Sequence, residues 1–177
     1  GADPHNLTSK AVEAMSHPKL EHLSVDVVIG RQNRNREALE ALTNQRANIT
    51  IHPPMSSLAG LIARADLAIG AGGSTTWERA CLGLPSAVVS FGGDQAPISK
   101  ALHARGSIHL IGKADEIESS DIEDAVLDCL TNLSSMETGY ELIDGFGCQR
   151  LATALLEIEG SIRLRLVEER DEAILFR

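Results

Sequence analysis

Short apolar runs alternate along this chain with stretches of helical apolar spacing, and glycines, prolines and hydroxyl residues punctuate the joins. Val25 to Ile29 reads as a strand ending at Gly30, Ala47 to Ile51 as a second, and Leu67 to Ile69 as a third that runs into Gly70, Gly72 and Gly73. Ala87 to Phe91 and Ile108 to Ile111 complete the set. The first helix opens with Asp3 as N-cap and Pro4 at the first helical position, and Leu7, Ala11, Val12, Ala14 and Met15 form its apolar face. Further helices are expected over Glu37 to Leu42, over Met55 to Arg64 after the Pro53-Pro54 break, and where Trp77, Ala80 and Cys81 keep helical spacing up to Gly83. Gln95 to Ala104, Asp121 to Leu130 and Gln149 to Leu156 are the last three. Strands separated by helices return in the same direction, so the pattern predicts an α/β, three-layer, Rossmann-like domain with a mainly parallel sheet.

Asp66 to Phe91 carries the densest chemistry, as a strand, a glycine turn, a helix and a second strand. Gly72 and Gly73 have no Cβ, which permits unusual φ values and close approach of a ligand. The first helical N–H groups, from Ser74 to Trp77, have no intrahelical acceptors, and an anion such as phosphate suits that end. Gly72, Gly73, Ser74 and Thr75 are therefore the candidate phosphate-binding residues. Glu78 sits one turn in, where its two oxygens can accept both hydroxyls of a ribose placed beside the phosphate. Alternatively Thr75 and Glu78 form a capping box, Thr-x-x-Glu, which needs no ligand. The residues alone leave both readings open. Arg31, Arg34 and Arg36 form a basic loop, read either as solvated or as an attraction for a diphosphate.

The chain has 177 residues, 43% of them apolar, which suits one domain with a modest appendage. A formal charge of −9 and only five aromatic residues argue against nucleic acid as a partner. No run approaches the ~20 apolar residues of a membrane span and no signal peptide is visible, so the cytoplasm is the expected compartment. The abrupt start at Gly1 reads as that of an excised fragment. Cys81, Cys129 and Cys148 lack CxxC spacing and are expected to be buried thiols. The histidines lack ligand spacing, so neither a metal site nor a cofactor is expected.

Three segments carry a family likeness. The string ADLAIGAGGSTTWERACLGLP, the opening GADPHNLTSKAVEAM and the later IDGFGCQRLATALLE occur in the same order as in the PseG-type UDP-sugar hydrolases, which the chain resembles over roughly residues 1 to 158. Those enzymes release UDP from a UDP-linked diacetamido-trideoxy-altropyranose on the route to pseudaminic acid. More distantly the chain is similar to the UDP-GlcNAc transferase of peptidoglycan synthesis. Both families have the GT-B architecture of two Rossmann-like domains, and the resemblance implies that this chain is the C-terminal, nucleotide-holding half.

The same likeness implies roles for individual residues. It sets the loop of Gly1 and Asp3 against the nucleotide's phosphates, which His5 could reach unless it faces solvent as a histidine in a first helical turn commonly does, and makes His52 and Met55 candidates to border the uracil ring. Asp94 and Gln95 become candidates for the sugar or a phosphate, although Asp94 departs from the family, which commonly has Asn there. The histidine implicated in activating water belongs to the N-terminal domain, so no catalytic residue is expected in this chain. The implied function is binding a UDP-amino sugar and supporting hydrolytic release of UDP, with the N-terminal domain of the same parent chain as partner. A GT-B glycosyltransferase and a non-catalytic nucleotide-sugar sensor or scaffold are the rival readings. Residues 159–177 depart from the hydrolase pattern. There IRLRLVEERDEAILFR resembles the first strand and helix of a GNAT acetyltransferase, implying a fused acetyltransferase domain; a plain terminal strand and helix is the alternative.

Overall fold

The computed structural model describes residues 3–44, 46–93, 95–136, 139 and 142–157. The tail expected to begin an acetyltransferase, together with Gly1 and Asp94, lies outside the described residues. The chain divides into two compact units, Gly1–Ile143 and a second beginning at Asp144.

In the first unit strands and helices alternate: α1 (Leu7–Ala14), β1 (Val25–Val28), α2 (Arg36–Thr43), β2 (Ile49–His52), α3 (Ala59–Ile62), β3 (Ala68–Ala71), α4 (Ser74–Cys81), β4 (Ser86–Ser90), α5 (Gln95–Ala104), β5 (His109–Lys113) and α6 (Ser119–Asn132). Every ladder among the described residues is parallel. One joins β1 to β2, with Val25 opposite Ile49 and Val28 opposite His52; the other has the order β3-β4-β5. This is the α/β, Rossmann-like arrangement the sequence pattern predicts.

The central strand β4 is buried along its whole length, and alternation sends its side chains to two different layers. Val89 joins the larger apolar cluster with Leu7, Val12, Ile122 and Val126, from the helices α1 and α6 that pack together. Val88 points the other way, to Leu102 of α5 and Ile108. Helices on both faces of parallel strands give the three layers.

Several local expectations are corrected. The first helix begins at Leu7 rather than at Pro4, because Asp3 (φ 48°) and Asn6 (φ 56°) are both left-handed and the Asn6 N–H bonds Asp3 O at 3.1 Å to close a turn. Asp3 still serves the helix end, from further away: its carboxylate accepts the N–H groups of Leu7 at 2.7 Å and Thr8 at 2.9 Å. The helix expected over Met55 to Arg64 shrinks to one turn, Ala59–Ile62, with Leu58 as N-cap and no side-chain hydrogen bond from that residue to hold an earlier start. Of the three thiols only Cys129 is buried, its pKa pushed up to about 11 by that burial; Cys81 is half-buried and Cys148 exposed.

In the second unit α7 (Gly147–Glu157) follows a turn in which Asp144 accepts the Phe146 N–H at 3.0 Å. Arg150 donates to the same carboxylate at 2.6 and 3.0 Å, and these bonds, Arg150's first, hold its pKa down to about 2. Among the described residues no helix is long and apolar enough to cross a membrane.

Candidate functional site

Ligands of parallel α/β sheets gather at the carboxyl ends of the strands, where loops lead into helix N-termini. Here that edge carries the turn from β3 into α4. The Gly72 N–H bonds Val89 O at 3.0 Å, which ties the turn to β4, and the Thr76 N–H bonds Gly73 O at 3.0 Å. The N–H groups of Ser74 and Thr75, at the first two helical positions, have no acceptor within the helix and remain for a ligand.

The glycines act differently from the expectation. Neither Gly72 nor Gly73 has positive φ; that conformation belongs to Gly92 (81°) and Gly93 (54°), in the turn before α5. Gly72 is required by space, since a Cβ there would lie 2.5 Å from Ser99 Oγ. At Gly73 a Cβ would meet only Gln95 Nε2, at 3.8 Å, so the backbone stays open.

The capping-box alternative is also corrected. Gly73 is the N-cap of α4 and makes no side-chain cap hydrogen bond. Thr75 is already inside the first turn, out of register for the box. Ser74, Trp77 and Glu78 are exposed at i, i+3 and i+4, so they share one outward face. Glu78 thus stands one turn from the free N–H groups with its carboxylate unoccupied by a cap.

The inward face of α4 is polar. Thr76 and Arg79 are buried, and Trp77, which the sequence pattern assigned to the apolar spacing, is 38% exposed. Arg79 donates from Nε to Ser86 Oγ at 3.0 Å, from Nη2 to Ala71 O at 3.2 Å and Thr76 Oγ1 at 3.1 Å, and from Nη1 to Thr75 Oγ1 at 3.4 Å. Burial pulls its pKa down to about 10, which leaves it cationic at neutral pH. A Cβ on Gly70 would sit 2.7 Å from Arg79 Nη1, so the glycine opens the slot the guanidinium fills. Residue type alone did not pick out Arg79. The available signal was the run of small and hydroxyl residues around it: Gly70, Thr75, Thr76 and Ser86.

Gln95 comes beside this turn, within 3.8 Å of the positions that Cβ atoms on Gly72 and Gly73 would take, and its Oε1 is buried without a hydrogen-bond partner. It offers an acceptor to a ligand donor. Asp3 lies on the loop whose His5 ring meets Phe91, just past β4, edge-on at 5.5 Å. Asn35 Nδ2 donates to Asn6 Oδ1 at 2.9 Å, so the loop after β1 docks on the same corner. Within the basic loop Arg36 pairs with Glu40, while Arg31 and Arg34 are exposed.

His52 and Met55 follow β2. The His52 ring is engaged through Nε2 by Asp26 Oδ1 at 2.6 Å, and Arg64 donates to Asp26 Oδ2 at 2.7 Å. Those two bonds, His52's first, lower the Asp26 pKa. Met55 is 45% exposed. Among the described residues no hydrogen bond or ion pair ties either to the glycine turn. Among the described residues no cluster of three or more His, Cys, Asp or Glu is placed to hold a metal ion.

The class of protein that the structure defines is an α/β, Rossmann-like unit with parallel strands. Solved structures with this fold include the UDP-GlcNAc 2-epimerase from Neisseria meningitidis bound to UDP-GlcNAc, with a TM-score of 0.61 and 17% identity over 87% of this chain and 41% of that one. A second UDP-N-acetylglucosamine 2-epimerase matches with a TM-score of 0.60 and 17% identity, over 84% of this chain and 40% of its own. Residues 4–142 match the family model DUF354, described as a protein of unknown function, and the chain belongs to that family. It is also 26% identical over 162 residues to the spore coat polysaccharide biosynthesis protein SpsG of Bacillus subtilis, covering 89% of this chain. The chain spans about half the length of that curated relative, 48%.

Proposed function

We propose that this chain binds the UDP moiety of a UDP-amino sugar on the β3–α4 turn, and that within a longer parent it serves as the C-terminal half of a PseG-type hydrolase. The observation that carries the reading is the outward face of α4. Free N–H groups at Ser74 and Thr75 suit a phosphate, and Glu78 lies one turn on, free of any cap, where ribose hydroxyls would fall. Gln95 Oε1 adds an unsatisfied acceptor beside them. The binding unit is residues 1–158, and the N-terminal domain of the parent supplies the water-activating base. This half then stabilises the leaving group: backbone N–H groups at Ser74 and Thr75 take up charge developing on the departing β-phosphate.

The relative named for polysaccharide biosynthesis and the epimerases bound to or named for UDP-GlcNAc support a UDP-sugar ligand at this coarse level. The first of these favours a second reading, transfer of the sugar to a hydroxyl instead of to water, for which this same site would serve unchanged.

Calorimetric titration of the chain with UDP and with CMP tests the ligand. UDP is expected to bind in the high-micromolar to millimolar range, worth about 4 to 6 kcal/mol, and CMP more weakly. Equal heats for the two, or none at millimolar ligand, remove the UDP assignment.

A further inference from the structure

Arg79 is the one charged side chain that the first unit buries among the described residues, at 6% exposure. Its hydrogen-bond acceptors are the hydroxyls of Ser86, Thr75 and Thr76 and the carbonyl of Ala71, all of them neutral. No ion pair among the described residues includes it. The Glu78 carboxylate acts on it only through space, opposing the larger effect of burial without pairing with it, so the buried cation is costly where apolar packing would fill the same slot at no electrostatic penalty. The geometry says where the charge is directed. Three of the four acceptors flank the glycine turn, Ala71 O at the end of β3 and Thr75 Oγ1 and Thr76 Oγ1 in the first turn of α4, so the guanidinium braces the turn from both sides.

We propose that Arg79 is a positioning residue for a phosphate on this turn: it braces the turn through its hydrogen bonds and adds a buried positive charge to the field that a bound phosphate meets. It does so without touching that ligand. The proposal rests on the reading of the turn as a phosphate site and is independent of which base or sugar the phosphate carries. It also accounts for Gly70, whose missing Cβ makes room for Nη1.

The test uses inorganic pyrophosphate as the anion and uridine as the neutral control, titrated into the chain and into two variants whose fold is checked by circular dichroism. Arg79→Gln should weaken pyrophosphate about tenfold or more, the scale of removing one positive charge several ångströms from the anion in a partly shielded site, while Arg79→Lys recovers part of the loss and uridine is unaffected. A folded Arg79→Gln variant with parental pyrophosphate affinity overturns the proposal, as does equal loss in both variants. No pyrophosphate binding to the parent overturns it as well. Should either variant not fold, the Arg79 Nε–H resonance of the parent chain decides: it is expected to shift with pyrophosphate and not with uridine, and an unmoved signal at saturation counts against the idea. Pyrophosphate binding that depends on Arg79, without preference for UDP over CMP, would remove the nucleotide assignment and leave Arg79's role standing.

Discussion

The two faces of β4 are built on opposite principles. Toward α1 and α6 the fold buries Val89, Leu7, Val12, Ile122 and Val126 in ordinary apolar packing. Toward α4 and α5 it buries Thr76, Arg79, Ser86, Ser90 and Ser99, with a small cluster of Val88, Leu102 and Ile108. Apolar burial is non-directional and yields stability in proportion to area. Hydrogen-bonded burial yields less net stability but fixes atoms in place. The first face therefore behaves as scaffold and the second as a precise support for the glycine turn.

The largest expected effect tests that division from the scaffold side. Ile122, fully buried on α6, should cost about 2–5 kcal/mol of stability as Ile122→Ala, measured by urea denaturation. UDP affinity, measured well below the unfolding transition, should not change. A parallel fall in affinity would show that the two faces are not separable.

On the ligand side Glu78→Gln should do the reverse. UDP binding weakens by roughly 1 to 3 kcal/mol while the melting temperature moves little, since the side chain is exposed and makes no cap. 2′-Deoxy-UDP should bind the parent less well than UDP but lose little further in the variant. Strict additivity of the protein and ligand changes would sink the ribose assignment.

The smallest effect lies away from both faces, at Asp26. Bonds from His52 and Arg64 hold its pKa below the ordinary 3.8. Their contribution is fully present above that pH and is lost as pH falls through the lower folded value. The carboxylate is partly exposed, so the contribution is under about 1 kcal/mol. Denaturation midpoints of the parent and Asp26→Asn should accordingly differ near neutrality and converge in acid. A gap that stays constant with pH would assign the effect to packing.

The strand positions, the parallel order and the glycine turn were legible in the sequence because they rest on local signals: apolar runs, glycines and helical spacing. The strand starts fall within two residues of expectation. The orientation of α4 was not legible. Its apolar residues suggested an inward Trp77, but the inward positions are Thr76 and Arg79, three residues apart, because the slot they enter offers the Ser86 hydroxyl of β4 and is opened by Gly70 on β3. That is information about neighbours distant in sequence, which periodicity within one helix does not hold. The same limit applied to Asp3. Its capping role was read correctly in kind, yet two left-handed residues moved the helix start to Leu7. For His52 the partner is Asp26 on the adjacent strand, and only the β1–β2 register brings the two together.

The outward turn of Trp77 has a practical consequence. The chain has one tryptophan, and it sits partly in solvent between Ser74 and Glu78 on the outward surface of α4. All indole emission from this protein therefore originates one helical turn from the proposed phosphate seat. Occupancy there carries its own optical reporter, readable in the unlabelled chain and free of background from the scaffold.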